Sequence, residues 1–478
     1  MNQLGLILGI PAASIFLFAA LSSYKIAARL NILSSLLTFL ASISLLQVRP
    51  ATTPFFIFDD LNVYLIILTT FITLSTSIFS ARYMAHEIDT GHLPERFARY
   101  YHAMFQGFLF AMLLAYSSNN IGVLWVAVEG ATLATVLLIG LYRTPAALEA
   151  SWKYFILCSA GIGLALFGTT LCYLAAEPVV GTGLPSLTWS VLQAHGADLS
   201  APLLNIAFVF LLVGYGTKVG MAPLHAWLPD AHAEGPTPIS ALLSGLLLNV
   251  ALYAVLRFKM VLTGNAHAFV AGPLMIFMGL ASLLLAGFML YLRKDIKRLF
   301  AYSSIEHMGI ITFAFGIGGP IANFAGLLHM AMHSLTKSGI FFVVGQISQI
   351  KGTLKIADIR GLTASNPVVG WALVVGVLAI AGLPPSGIFV SEFLLVTSTF
   401  VRAPILAAIL VIGLLIAFGA LIAKLQGLAF GPAERSKEKA SVAMLAPFFV
   451  QLGIVIAAGL YLPGALFGWL QNVAKILG

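Results

Sequence analysis

Charge is scarce in this chain of 478 residues. Only 9% of them are Asp, Glu, Lys or Arg, against 60% hydrophobic, and the mean hydropathy is +1.00. A soluble domain of this length would have too little polar surface to show water, so that class is excluded. Cysteine is scarcer still. Cys158 and Cys172 both lie in apolar sequence and fit no disulfide or metal framework. There is no P-loop and no dinucleotide fingerprint, so the chain is expected to hold no cofactor and do no redox chemistry itself. No basic residue precedes the first apolar run, Lys25 being the first positive charge. That run therefore reads as a retained helix rather than a cleaved signal peptide. No soluble domain, linker or low-complexity tract interrupts the pattern.

What the chain has in abundance is apolar runs of about 17–25 residues, the length that crosses a bilayer as a helix. They fall at 3–22, 30–48, 61–82, 101–117, 120–142, 152–176, 203–231, 237–258, 270–292, 298–317, 321–348, 367–401, 404–430 and 441–464. The fold class is thus an all-α polytopic membrane protein of about fourteen spans. Of the 25 Lys and Arg, seventeen lie in connections after odd-numbered spans, five on the opposite side (Arg49, Arg257, Lys259, Arg402, Lys475) and three inside spans. Positive charge collects on the cytoplasmic side. The split predicts both termini on the outer face of a bacterial or archaeal cytoplasmic membrane, the inner membrane where there are two. The net charge of +8 follows from this topology and does not call for a nucleic-acid partner. The connection from Glu177 to Pro202 has no Lys or Arg, as an outer loop should, and only a short tail is expected after span fourteen.

Two spans are broken. Span seven breaks within the stretch LLVGYGTKVGMAPLHAWLPDAHAEGPTPIS, Leu211 to Ser240, which carries Gly220, Pro223 and Pro229. Span twelve breaks at GLPPSG, residues 382–387. Breaks at membrane depth survive only against protein or a wet cavity. Breaks five spans apart predict two five-helix repeats, inverted relative to each other because five is odd. The expected organisation is N-terminal helices over 1–100, a first repeat over 101–260, a second over 261–430, and a last helix and tail over 431–478.

Several titratable groups lie inside these spans. Glu129 stands alone in apolar sequence, and Lys218 sits just before the first break. A lysine in hydrocarbon costs roughly 3 kcal/mol on insertion scales, so it marks an ion path by default. His329, His333 and Lys337 follow at i, i+4, i+8, one helical stripe with steps of roughly 6 Å. Glu392 follows the second break, and Lys424 lies in span thirteen. Around the first break, His225 and His232 are placed at the cytoplasmic rim, with Asp230 and Glu234 beside them to collect protons. Each site has a structural alternative. Lys424 can snorkel to an interface, the histidines can pack or hold a metal, and Glu129 with Lys218 can be a purely structural pair. With an effective dielectric near 20, a unit pair is worth ~2.8 kcal/mol at ~6 Å and ~1.7 at ~10 Å. Working against 100 mV costs ~2.3 kcal/mol per charge, so one such change cannot drive a pump and several coupled pairs are needed.

With these residues in hand, the chain resembles the antiporter-like proton-translocating subunits of NADH:quinone oxidoreductase, multi-subunit (Mrp-type) Na+/H+ antiporters and membrane-bound hydrogenases. The matching pieces are SARYMAHE, the Glu129 helix, GTKVGMAPLHAWLPDAHAEGPTPISALLSG, RKDIKRLFAYSSIEHMG, HMAMHSLTKSGIFF and AGLPPSGIFVSEF. Within the family, Tyr142-Arg143-Thr144, LEASWKYFILCSAGIGLALFG and the Ile305–Met308 motif look most like component F of hydrogenase-4 and formate hydrogenlyase-type complexes. The resemblance implies that Glu129 and Lys218 form the coupling pair, that His329, His333 and Lys337 are central relay groups, and that Glu392 faces the exit half. Many relatives have a lysine where this chain has Asn249, which can bind water but cannot hold a proton. The long lateral helix of one subclass is not expected here. The resemblance further implies partner membrane subunits and peripheral redox subunits with iron–sulfur clusters and a nickel–iron site. The cargo would be protons, with Na+ the alternative; a non-pumping membrane anchor is the rival reading.

Overall fold

A computed structural model describes residues 3–98, 100–432 and 441–478. Arg99, Arg435, Lys437 and Lys439, counted above among the basic residues of odd-numbered connections, lie outside the described residues. Each expected span has a helical counterpart. The first repeat is preceded by α1 (Gln3–Ala20), α2 (Tyr24–Ile43) and α3 (Asp60–Asp89). It contains α4 (Tyr101–Ser117), α5 (Ile121–Ile139), α6 (Pro145–Val180), the broken pair α7 (Ala201–Val219) and α8 (Leu228–Glu234), and α9 (Thr237–Thr263). Then come α10 (Ala271–Leu292), α11 (Ile296–Ile317), α12 (Pro320–Lys351), the broken pair α13 (Pro367–Ile380) and α14 (Gly387–Arg402), and α15 (Pro404–Ala429). Two further helices close the chain, α16 (Ala446–Leu460) and α17 (Gly464–Ile476).

Length and apolarity alone qualify ten of the described helices as spans, eleven if the bent pair α16–α17 counts as one. The figure of fourteen is not reached on that test. Helix α4 has 17 residues, span twelve is split between two short helices, and in α11 Ser303, Ser304, Glu306 and His307 dilute the apolar sequence. The tail differs more plainly. After a bend of 81°, residues 464–476 form α17, whose Leu470, Val473 and Ala474 are buried. Tyr64 on α3 meets Trp469 edge-on at 5.8 Å. An amphipathic stretch of this kind gains more by covering the end of the bundle than by staying in water.

Connections gather alternately at two ends. At one, Glu87 accepts from Tyr142 and Gln349, Lys297 donates to the Gly235 carbonyl at 2.8 Å, and Asp295 pairs with Lys355 through backbone. At the other, Phe56 pairs with Ser118 and Asn120 with Thr188, and the Gly319 amide donates to the Gly478 carbonyl. Arg257 and Lys259, expected in an outer connection, are instead buried within α9. Arg257 reaches Asp59 at 2.5 Å and lies over the Trp189 ring. Lys259 donates to the Leu477 carbonyl at 3.1 Å. Their positive charges are neutralised or solvated by protein rather than by water.

The centre of the bundle is α9 and α12, whose most apolar stretches are wholly buried, while α1 stands at the edge. In α9 the backbone widens to a π turn over Leu243–Leu247, a feature that recurs at functional sites. Close packing elsewhere depends on glycine. A Cβ at Gly214 of α7 would lie 2.5 Å from the Ala165 amide nitrogen and 2.6 Å from the Gly161 carbonyl of α6. A Cβ at Gly309 of α11 would lie 2.7 Å from the Gly279 carbonyl of α10. Small residues bring membrane helices within backbone contact, and here they do so one turn from Lys218 and three residues from Glu306.

Candidate functional site

The first cluster is built by α5, α6 and α7. Lys218 is fully buried and stands 3.8 Å from Glu129, which is 21% exposed. The pair is not in direct hydrogen-bond contact. The Thr132 hydroxyl accepts from the Lys218 ammonium and donates to Glu129 Oε2 at 2.9 Å, so it bridges them. The ammonium also donates to the Val128 carbonyl at 2.9 Å, a helix carbonyl i−4 to Thr132. Glu129 Oε1 accepts from Ser159 of α6 at 2.8 Å. Helix α7 ends at Val219, one residue after Lys218, and is capped by Gly220 with φ +80, where a Cβ would strike Leu228. The Trp227 indole ties the turn back by donating to the Thr217 carbonyl at 2.7 Å. The break therefore fixes the depth at which Lys218 sits.

The rim residues divide. Asp230 accepts from Lys153 at 2.6 Å and pairs with Arg298, which is 3.6 Å from Glu234. These groups line a polar cleft of about 310 Å³. His225 and His232, expected beside them, do not line it. His225 is half-buried against Tyr302. His232 is completely buried, stacked on Phe341 at 5.1 Å, with neither ring nitrogen hydrogen-bonded. The short helix α8 turns one face outward and the other into the bundle, which the loop-like sequence conceals.

The second cluster forms between α11, α12 and α14. Lys337 is buried and donates to the Phe300 carbonyl at 2.7 Å, which also accepts from Ser304. Ser304 shares a hydrogen bond of 2.7 Å with Ser244 in the π turn of α9. His329 shares one hydrogen bond of 3.0 Å with His307 and a second, of 2.9 Å, with Ser391. His307 Nε2 lies 3.5 Å from Glu306 Oε2. The stripe of three on α12 is thus not a file by itself: His333 has no hydrogen bond and meets His307 ring to ring at 5.3 Å. Helix α11 supplies the cross-links. Asn249 donates to Ser334 at 2.7 Å, beside the stripe, with its Oδ1 unpartnered.

Glu392 lines a cleft of about 210 Å³ together with Glu306, walled by Ile380 and residues of α15. Gly382, at φ +72, leaves room for its carboxylate, because a Cβ there would lie 2.1 Å from Oε2. His307, His329 and Glu392 each offer a ligand atom within 4.8 Å of the others, so a metal alternative, if any, falls on this trio and not on His329 with His333. Lys424 is half-exposed and makes no ion pair among the described residues. Thr132, Ser159, Glu306, His307 and Ser391 are site residues that sequence reasoning missed. Glu306 and His307 carried a signal, two polar groups in mid-span; the hydroxyls carried none.

These observations can be set beside known proteins. The model of the family described as NADH:quinone oxidoreductase/Mrp antiporter, transmembrane, matches residues 118–417. The hydrogenase-4 component F homolog of Methylacidiphilum infernorum (isolate V4) is 58% identical over 467 residues, 98% of each chain. Among solved structures, an archaeal membrane-bound sulfane sulfur reductase superposes with a TM-score of 0.88 at 20% identity, over 100% of this chain and 98% of that one. Respiratory complex I of Thermus thermophilus gives 0.82 at 22% identity, over 99% of both. At such identities the superpositions speak for the fold, and the sequence matches speak for descent. The chain belongs to the NADH:quinone oxidoreductase/Mrp antiporter transmembrane family.

Proposed function

We propose that the chain is a proton-translocating membrane subunit of a redox-driven complex of the hydrogenase-4 or formate hydrogenlyase type. The observation that carries this reading is Lys218, an ammonium with no exposed surface, held to Glu129 through one hydroxyl. A buried pair of this kind seldom improves stability over apolar packing, so its presence points to a transport role. Protons enter from the cytoplasm at the Asp230–Glu234 cleft and reach Lys218. Water carries them past Ser244 and Ser304 to Lys337, whence Glu306, His307 and His329 pass them to Glu392 and the outer side. The residues around 101–260 and 261–430 act as the two half-channels, with α7–α8 and α13–α14 as their discontinuous helices. Asn249 orders water beside Ser334 where many relatives have a lysine.

The likeness to the hydrogenase-4 component F homolog favours a nickel–iron enzyme with iron–sulfur clusters in peripheral partner subunits. Electron transfer there supplies the energy, and other membrane subunits flank this one in the cytoplasmic membrane. In vesicles containing the assembled complex, Lys218→Ala and Glu129→Gln should retain hydrogen oxidation or evolution while proton uptake falls by tenfold or more, the scale of losing a positioned acid or base, about 10²–10⁴. Unchanged proton movement in an intact complex would establish a passive anchor instead. Partner chains that lack hydrogenase subunits would shift the assignment to a Mrp-type antiporter or an NADH:quinone oxidoreductase.

A further inference from the structure

The largest cavity of those described lies away from both clusters. It has a volume of about 720 Å³ and opens where residues 95–98, α4 and the turn between α5 and α6 meet. Among the described residues, two guanidiniums stand at it. Those of Arg96 and Arg143 are each 4.8 Å from the centroid of the Phe97 ring, so the two charges are within about 10 Å of each other. Both residues are exposed, and neither forms an ion pair among the described residues. Arg143 is placed there by its backbone, the one non-glycine at positive φ among the described residues. The remaining wall includes Leu137, Leu141, Trp152 and Phe155. It faces sideways, with Leu137 59% and Trp152 62% exposed.

Two like charges sharing a ring repel each other unless an anion lies between them, and guanidinium is the side chain that best grips phosphate. An apolar trench leads away from that grip along α5 and α6, toward bilayer. Exposed Trp152 and Tyr100 beside it suit headgroup depth. A ligand that is anionic at one end and a hydrocarbon chain at the other matches both parts.

We propose that this cavity binds an anionic phospholipid, its phosphate on Arg96 and Arg143 and an acyl chain along Leu137, Trp152 and Phe155. The site is independent of the proton path and stands or falls separately from it. The test is native mass spectrometry of the complex containing the full chain, first as purified and then after delipidation and re-addition of phosphatidylglycerol or phosphatidylcholine. One phosphatidylglycerol should remain per chain, should be preferred to phosphatidylcholine, and should resist millimolar inorganic phosphate. Arg96→Gln with Arg143→Gln should lower its retention by about tenfold or more, and Leu137→Trp should lower it by filling the trench with both arginines intact. Should the double variant fail to assemble, photoreactive phosphatidylglycerol added to the unaltered complex should label Phe97 or Trp152. Equal retention by all forms, displacement by inorganic phosphate, labelling elsewhere, or a partner subunit's helix found in the trench would each overturn the proposal.

Discussion

Thr132 decides how Glu129 and Lys218 interact, because its hydroxyl is, among the described residues, the one group hydrogen-bonded to both. Valine has the same shape without the hydroxyl. Thr132→Val should leave the fold intact and slow proton uptake by roughly tenfold, the low end of a lost proton-transfer contact, while Thr132→Ser restores it; vesicle acidification measures both. Asp59 at the opposite end is a structural counterpart. Burial alone would raise its pKa, but the Arg257 guanidinium and the amides of the α3 N-terminus outweigh that and hold the carboxyl below its usual range. A lowered folded-state pKa contributes stability above the unfolded value, and that contribution is lost as pH falls through the folded value. Thermal unfolding in detergent should therefore show an acid-sensitive step below about pH 4, the unfolded Asp range. Asp59→Asn should abolish that step and cost about 3 kcal/mol, since it strands Arg257 buried and unpaired.

At the scale of elements, the clusters depend on how closely helices approach. Gly214 lets α7 touch the backbone of α6, and Lys218 follows one turn later. Gly214→Ala should push the two apart at a cost of about 1–3 kcal/mol, and the larger loss should be in proton uptake, because Lys218 on α7 then shifts relative to Glu129, which Ser159 of α6 holds. A melting curve and a transport assay on the same preparation separate the two effects. The same scale explains what could be read beforehand. Both breaks, at Gly220 and at 382–387, are legible because Gly and Pro cluster there, Pro removing a helix donor and Gly taking the positive φ that ends a helix. The burial of His232 was not, since a seven-residue helix gives no period long enough to show which side faces inward. His333 lies on the stripe but has no hydrogen bond along it, because helical spacing fixes a face, not the neighbour across it. That neighbour is α11, whose Glu306 and His307 lie within the Ile305–Met308 motif.

At the scale of the molecule, hydrophobic runs foretold the helices and their order, and the clustering of connections at two ends agrees with the alternation of basic residues. The count of spans by length and apolarity falls short because α4 has only 17 residues, polar residues interrupt α11, and span twelve is split between the short α13 and α14. On the proposed function, the groups of two clusters, Glu129–Lys218 and Lys337–Glu306–His307–His329, move one proton stream between them. Lys337 stands where α9, α11 and α12 meet, joined to Ser304 through the Phe300 carbonyl. The most direct measurement is the number of protons moved per electron in vesicles containing the complex with Lys337→Met. The ratio should drop by this chain's share while the complex remains assembled. An unchanged ratio in an assembled complex would contradict it.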